Sequence, residues 1–194
     1  MAFQPKNLYT LEDYLELEKS SEEKFEFWAG TVWSMSGGTE AHNIIAMNLY
    51  GDIVSKLKNQ GCRAYSSDMR VKVPDYAPYR YPDLSALCGK SEIERIGGVD
   101  MLVNPQLIVE ILSESTEAFD RGDKFSYYKS IKSFSEYILI AQHRPHVTQF
   151  FKSGDGFWTN TEANSLDDII ELRSVPGTIQ LSSIYSDVSF ETIS

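Results

Sequence analysis

Three ionisable residues in apolar surroundings are the first candidates for chemistry. Glu110 stands inside Leu107-Ile108-Val109-Glu110-Ile111-Leu112, where a carboxylate is costly to bury unless it is paired or bound to a cation. Two readings fit: an acceptor satisfied by an arginine or by backbone amides, or a ligand for a hard cation, which prefers oxygen donors. Asp83 opens the apolar run Leu84-Ser85-Ala86-Leu87 behind Pro82, which confines it to a strand start, an edge or a bulge. A Pro-Asp pair alone is an ordinary turn signal. It gains weight beside Glu110, because two acids on successive strands bring two carboxylates to one divalent ion if those strands are neighbours. Lys124 leads a helical face completed by Tyr127, Tyr128 and Ile131, so it begins an inward stripe near the end of the Glu110 strand. Its other reading is a lysine snorkelling out of that stripe.

Weaker candidates surround these three. Glu26, between Phe25 and Phe27, is either a solvated strand residue or a further ligand for metal or water. His42 falls on the inward face of its helix, as a hydrogen-bonded core histidine or as support for the acids. His143 and His146 bracket the Arg144-Pro145 turn and make a poor metal pair. Lys56, Lys58, Arg63, Arg70 and Lys72 form a basic segment opposed only by Asp68, which is either a solvated helix end and strand or a contact for phosphates.

The elements that must hold these residues follow from periodicity and punctuation. Thr10 and Asp13 resemble a capping box for a short helix ending near Lys19, with Asp120 and Asp123 as caps for a later one. Phe25, Phe27 and residues 32–35 flank Ala29-Gly30 as a hairpin. Gly37-Gly38-Thr39 introduces a helix over 40–58 with the buried stripe Ile45, Leu49, Ile53 and Leu57, ended by Gly61. Strands are expected over 63–73, 81–88 and 106–112, then a helix over 118–132. Further strands are expected over 137–141, 147–151 and 157–159, with Gly154-Asp155-Gly156 as a turn. From Asn160 the chain reads as acidic and irregular, with at most a short strand at 169–172. This order predicts a single α+β domain: a central mixed sheet flanked by helices, with extra hairpins.

The 194 residues are enough for one core, and no apolar run approaches the roughly 20 residues of a membrane span. The first ten residues lack the apolar centre of a signal peptide, so a cytoplasmic location is expected. Cys62 and Cys88 have no ligand neighbours at short spacing, and both are expected to be reduced. A net charge of −10 argues against broad nucleic-acid binding unless a groove is locally positive. Glycine-rich phosphate loops, dinucleotide fingerprints and Gly-x-Ser-x-Gly elbows are absent from the sequence.

Tyr81-Pro82-Asp83, Asn104-Pro105 through Val109-Glu110-Ile111-Leu112-Ser113, Ser115-Thr116 and Asp120-Arg121-Gly122-Asp123-Lys124-Phe125 together resemble the bacterial putative restriction endonuclease family. That family is part of the PD-(D/E)XK nuclease superfamily. The resemblance extends through Glu26, Gly30, Met35 and His42 on one side and Glu136-Tyr137 on the other, over roughly residues 9–152. It implies a restriction endonuclease-like fold and a Mg²⁺-dependent DNA endonuclease, with Mn²⁺ as a substitute. Asp83, Glu110 and the Ile111 carbonyl would hold the ion, and a homodimer would engage both strands. The superfamily lysine, two residues after the acid, is replaced here by Leu112, so the resemblance implies a lysine migrated to Lys124. A catalytically inactive nuclease-fold protein, serving as a binding or assembly module, is the alternative.

Overall fold

A computed structural model describes residues 8–190, with Glu22, Ala29, Ser36, residues 75–78 and Gly97 outside the described residues. The Ala29 half of the expected turn and the stretch before Leu8 therefore lie outside them. Helix α1 (Leu11–Ser20) starts on a complete capping box: the Thr10 hydroxyl accepts from the Asp13 amide, and the Asp13 carboxylate accepts from the Thr10 amide. β1 (Phe25–Trp28) and β2 (Thr31–Ser34) pair antiparallel, with Glu26 opposite Trp33. At their turn Gly30 has φ +81°, a conformation that residues with a Cβ rarely adopt, so a substitution there is strained. Helix α2 (Glu40–Leu57) is capped by the Thr39 hydroxyl and buries Ile45, Leu49, Ile53 and Leu57, the expected stripe.

The single strand expected over 63–73 is two. β3 (Cys62–Ser66) and β4 (Arg70–Lys72) are separated by a turn closed by the Met69 amide on the Ser66 carbonyl, and they join different sheets. β5 (Tyr79–Arg80), β6 (Leu84–Cys88), β7 (Ile93–Ile96), β8 (Val99–Leu102) and β9 (Leu107–Leu112) follow. The helix expected over 118–132 is α3 (Glu117–Phe119), a π-helical turn (Asp120–Lys124) and α4 (Phe125–Tyr128). Then come β10 (Glu136–Ala141), β11 (Val147–Lys152), β12 (Trp158–Ala163), β13 (Ile169–Glu171), β14 (Thr178–Gln180) and α5 (Leu181–Ile184).

The main sheet runs β12-β11-β10-β9-β6-β3, with β9 and β10 parallel and the other pairs antiparallel. A second sheet, β5-β4-β8-β7, and the hairpins β1-β2 and β13-β14 complete the expected α+β architecture. Alternation along β9 divides its side chains. Leu107, Val109 and Ile111 pack in the cluster that includes the α2 stripe, while Ile108 and Leu112 pack in one with Phe125, Tyr128 and Tyr137. Glu110, between Ile108 and Leu112, belongs to the second face.

Two further expectations need correction. The C-terminal stretch is not irregular: β12 to α5 place Ile170, Leu172, Ile179, Leu181, Ile184 and Tyr185 in the main core cluster. Its strands are too short to announce themselves by periodicity. Cys62 and Cys88 are not reduced but disulfide-bonded, because the β3–β6 register sets them directly opposite, with Cα atoms 3.9 Å apart. Among the described residues, no helix is long and apolar enough to cross a membrane.

Candidate active site

Strands β6 and β9 are antiparallel neighbours in which Leu84 faces Val109. Continuing that register by one position sets Asp83 across from Glu110, and opposed residues of an antiparallel pair project from the same face. Pro82 cannot extend the ladder, and the Asp83 side chain takes over: its Oδ2 accepts the Ile111 amide at 2.7 Å. Its Oδ1 lies 3.2 Å from Nε2 of His42, carried by the first turn of α2. The carboxylate is thus held on both oxygens.

Glu110 Oε1 receives the Lys124 ammonium at 2.9 Å and the Tyr128 hydroxyl at 2.8 Å; neither falls on Oε2. The helical segment after β9 brings Lys124, Asp120 and Tyr128 inward together. Lys124 Nζ is also 3.3 Å from Asp120 Oδ1 and 3.7 Å from Glu26 Oε1. The Asp120 contact is a charge contact only, since Oδ1 is buried without a hydrogen bond. Glu26 is no solvated strand residue: it is buried, accepts the Tyr81 amide at 2.8 Å, and has Arg80 at 3.9 Å.

Three carboxylates, Glu110, Asp120 and Glu26, therefore crowd one buried ammonium, with Asp83 beside them. Burial pushes the Glu110 pKa well above the usual carboxylate range, and Asp120, Asp83 and Glu26 add to the rise against the opposing pull of Lys124. Burial alone would drive Lys124 toward the neutral amine, but Glu110, Glu26 and Asp120 outweigh it and hold the ammonium charged. The hydrogen bond to Asp83 raises the pKa of His42.

A cavity of about 850 Å³ opens over Glu26, Asp83, Glu110, Asp120 and Lys124, with Trp33, Met35 and Phe119 among its walls. Among the described residues no three His, Cys, Asp or Glu side chains are grouped to hold one metal ion. A cation would therefore rely on the Asp83 and Glu110 carboxylates with the Ile111 carbonyl, a hard oxygen set suited to Mg²⁺. The excess of buried carboxylate, including an Asp120 oxygen with no hydrogen bond, fits that group.

The fold thus assembles Glu26, His42, Asp83, Glu110 and Lys124. It does not assemble the basic segment. Arg70 is buried against Glu18 and Tyr81, Lys72 pairs with Glu94 at 2.6 Å, and Lys56 with Asp52 at 2.7 Å. Lys58 and Arg63 alone of the five are exposed. Asp120 was expected as a helix cap, yet makes no capping hydrogen bond and points at Lys124 instead. Its position four residues before Lys124 was the available signal. Tyr128 was legible as core, but not as a donor to Glu110.

A crystal structure described as a "putative nuclease belonging to DUF820", from Anabaena variabilis ATCC 29413, superposes with a TM-score of 0.69. It is 17% identical in sequence, and the match covers 89% of this chain and 97% of that one, a likeness of fold. Two relatives from Synechocystis sp. are uncharacterized proteins. One, slr1290, is 30% identical over 92% of each chain, and the other, sll1609, is 31% identical over 80% of this chain and 87% of its own. A family model described as "Uma2: Putative restriction endonuclease" matches residues 11–183, reaching β14 and α5. Asp83 before β6, Glu110 on β9, Lys124 in the π-helical turn and the C-terminal strands all fall within that match. The chain belongs to the Uma2 family of putative restriction endonucleases.

Proposed function

We propose that the protein is a Mg²⁺-dependent DNA endonuclease whose PD-(D/E)XK lysine has moved from the acid's strand to the following helix. The observation that carries this reading is the Lys124 ammonium at 2.9 Å from Glu110, beside an Asp83 fixed across the neighbouring strand. Leu112, at the superfamily's lysine position, is fully buried in an apolar cluster.

Asp83, Glu110 and the Ile111 carbonyl would hold Mg²⁺, which when bound acidifies a water and offsets charge on the phosphate. The protein's own share begins with orientation: His42 and the Ile111 amide fix Asp83, and Tyr128 fixes Glu110. Lys124, held charged, aligns the attacking water and offsets the charge gathering on the phosphoryl oxygens. Glu26 steadies the ammonium from its other side. Lys58 and Arg63 are the exposed cations of the 54–74 segment for phosphate contact, and a homodimer would carry two such sets.

The test is a titration of the purified protein with Mg²⁺ or Mn²⁺, followed by plasmid nicking. Wild type should nick in a metal-dependent way, Glu110→Gln should not, and Lys124→Ala should be slower by about 10² or more, the scale of losing one transition-state donor. Wild-type rates in Lys124→Ala would remove the lysine assignment. No metal-dependent nicking by wild type would favour the binding-module reading.

A further inference from the structure

The acid cluster forms the floor of the cavity, but part of its rim is aromatic. Trp33 sits opposite Glu26 in the β1–β2 register, so the two share a face of the hairpin: the acid at the floor, the indole above it. Trp33 is 43% exposed and Met35 37%, and the Trp33 ring centroid lies 6.4 Å from that of Phe119 at an interplanar angle of 30°. Packing against Phe119 covers only part of the indole and leaves the rest open to the cavity.

Charge is distributed the other way from what duplex binding needs. Among the described lining residues, Lys124 is the one side chain of fixed positive charge, and it is 4% exposed and engaged by Glu110, Asp120 and Glu26. Arg121, three residues before it, is tied to Glu117 at 2.8 Å. Proteins that hold DNA, duplex or single-stranded, draw much of their affinity from phosphate neutralisation, and single-strand binders add base stacking to it. This cavity offers almost none, within a chain of net charge −10. Stacking of a base on an aromatic ring needs no cation, but it does need a free π-face, which a base gains only when it leaves the duplex stack. A volume of about 850 Å³ suits a small ligand of nucleotide size, not a double helix.

We propose that Trp33 is a stacking platform for an unpaired DNA base, so that the site takes single-stranded or locally opened DNA and not intact duplex. This rests on the nuclease reading and adds the form of its substrate. The base lies against the indole, and the adjoining phosphate reaches down to the carboxylates on the floor.

The test measures binding apart from cleavage. A labelled single-stranded oligonucleotide of mixed sequence and a hairpin duplex of the same composition are titrated with the full chain in Ca²⁺, with fluorescence anisotropy as the readout. The single strand should bind about tenfold or more tighter than the duplex. Trp33→Leu should lose roughly tenfold of that affinity, the scale of one stacked base, while Trp33→Phe keeps most of it. The salt slope for the single strand should be shallow, corresponding to about one or two phosphates. Equal affinity for the two DNA forms would overturn the proposal, as would unchanged single-strand binding by a Trp33→Leu protein whose melt matches wild type. If Trp33→Leu cleaves single-stranded DNA in Mg²⁺ as fast as wild type does, the stacking role falls and the nuclease reading stands. If the single strand binds through Trp33 and neither Mg²⁺ nor Mn²⁺ supports cleavage of any DNA, the nuclease reading falls and the stacking site stands.

Discussion

Lys124 has two duties that pull apart. As a buried counterion it balances Glu110, Asp120 and Glu26; in the proposed function it would also have to remain charged and close to a phosphate. Removing it leaves buried carboxylates without their cation, so Lys124→Ala should destabilise the metal-free protein by roughly 3–5 kcal/mol, as for a broken buried ion pair. Urea melts with and without Mg²⁺ check this. The loss should shrink when Mg²⁺ is present, because the ion takes over part of the charge balance, and a variant as stable as wild type without metal would show that Lys124 is not the counterion. His42 gives a prediction in pH. Its folded pKa is raised, chiefly by the hydrogen bond to Asp83, so the stability it supplies is fully present below its unfolded pKa and is lost as pH rises through the folded value. The penalty of His42→Gln should therefore be larger at about pH 5.5 than at about pH 8.5, either side of the ordinary histidine value. Equal penalties at both pH values would mean that the imidazole supports Asp83 by packing alone.

At the scale of elements, the site is the meeting of the β6–β9 register with one helical segment. Much of that was legible. The apolar run of β9 made an interrupting acid conspicuous, and the stripe Lys124, Tyr127, Tyr128 kept its sense through the π-helical turn because all three remain buried. The paired capping residues of α1 and the i, i+4 spacing of α2 were equally plain. What escaped has physical reasons. No Gly or Pro marks the Ser66–Met69 turn that splits β3 from β4, so one strand was expected. Arg70 and Lys72 looked free because their partners Glu18 and Glu94 are distant in sequence, and charge pairing across a fold leaves no local pattern. The disulfide was hidden likewise, since only the β3–β6 register sets Cys62 against Cys88. That cross-link closes a separation of 26 residues, which the chain-entropy view values at about 3.5 kcal/mol as an upper figure. The strands it joins are already paired, so Cys62→Ser with Cys88→Ser should cost about 1–3 kcal/mol, within the lower part of the range for native disulfides. Thiol titration of the folded protein before and after reduction checks the premise: free thiols before reduction would contradict the pairing.

At the scale of the whole molecule, residues after Asn160 do work that their composition does not advertise. The stretch is acidic, yet it closes the sheet with β12 and lays β14 and α5 against α2. One buried acid ties it down. Glu136, at the start of β10 and fully buried, accepts the Arg173 amide at 3.0 Å, the Ser174 amide at 2.7 Å, the Ser174 hydroxyl at 2.6 Å and the Gln149 side-chain amide at 2.6 Å. Tyr185 makes a second tether, its hydroxyl donating to the carbonyl of Ala141 at 2.8 Å. Both anchors grip β10, the strand beside β9, so the C-terminal stretch supports from behind the strand that carries Glu110. Glu136→Ala would strand the buried Gln149 donor, at about 1–3 kcal/mol when unsatisfied, and three part-buried donors that water can partly satisfy, for a total of about 3 kcal/mol. Glu136→Gln keeps an acceptor and should cost less. If the chain unfolds as one unit, the Ala variant should lower a single urea transition, and limited proteolysis should open the 164–176 segment no earlier than the sheet. Early cleavage there, with the remaining transition unchanged, would instead make the C-terminal stretch a separate layer that β9 does not need.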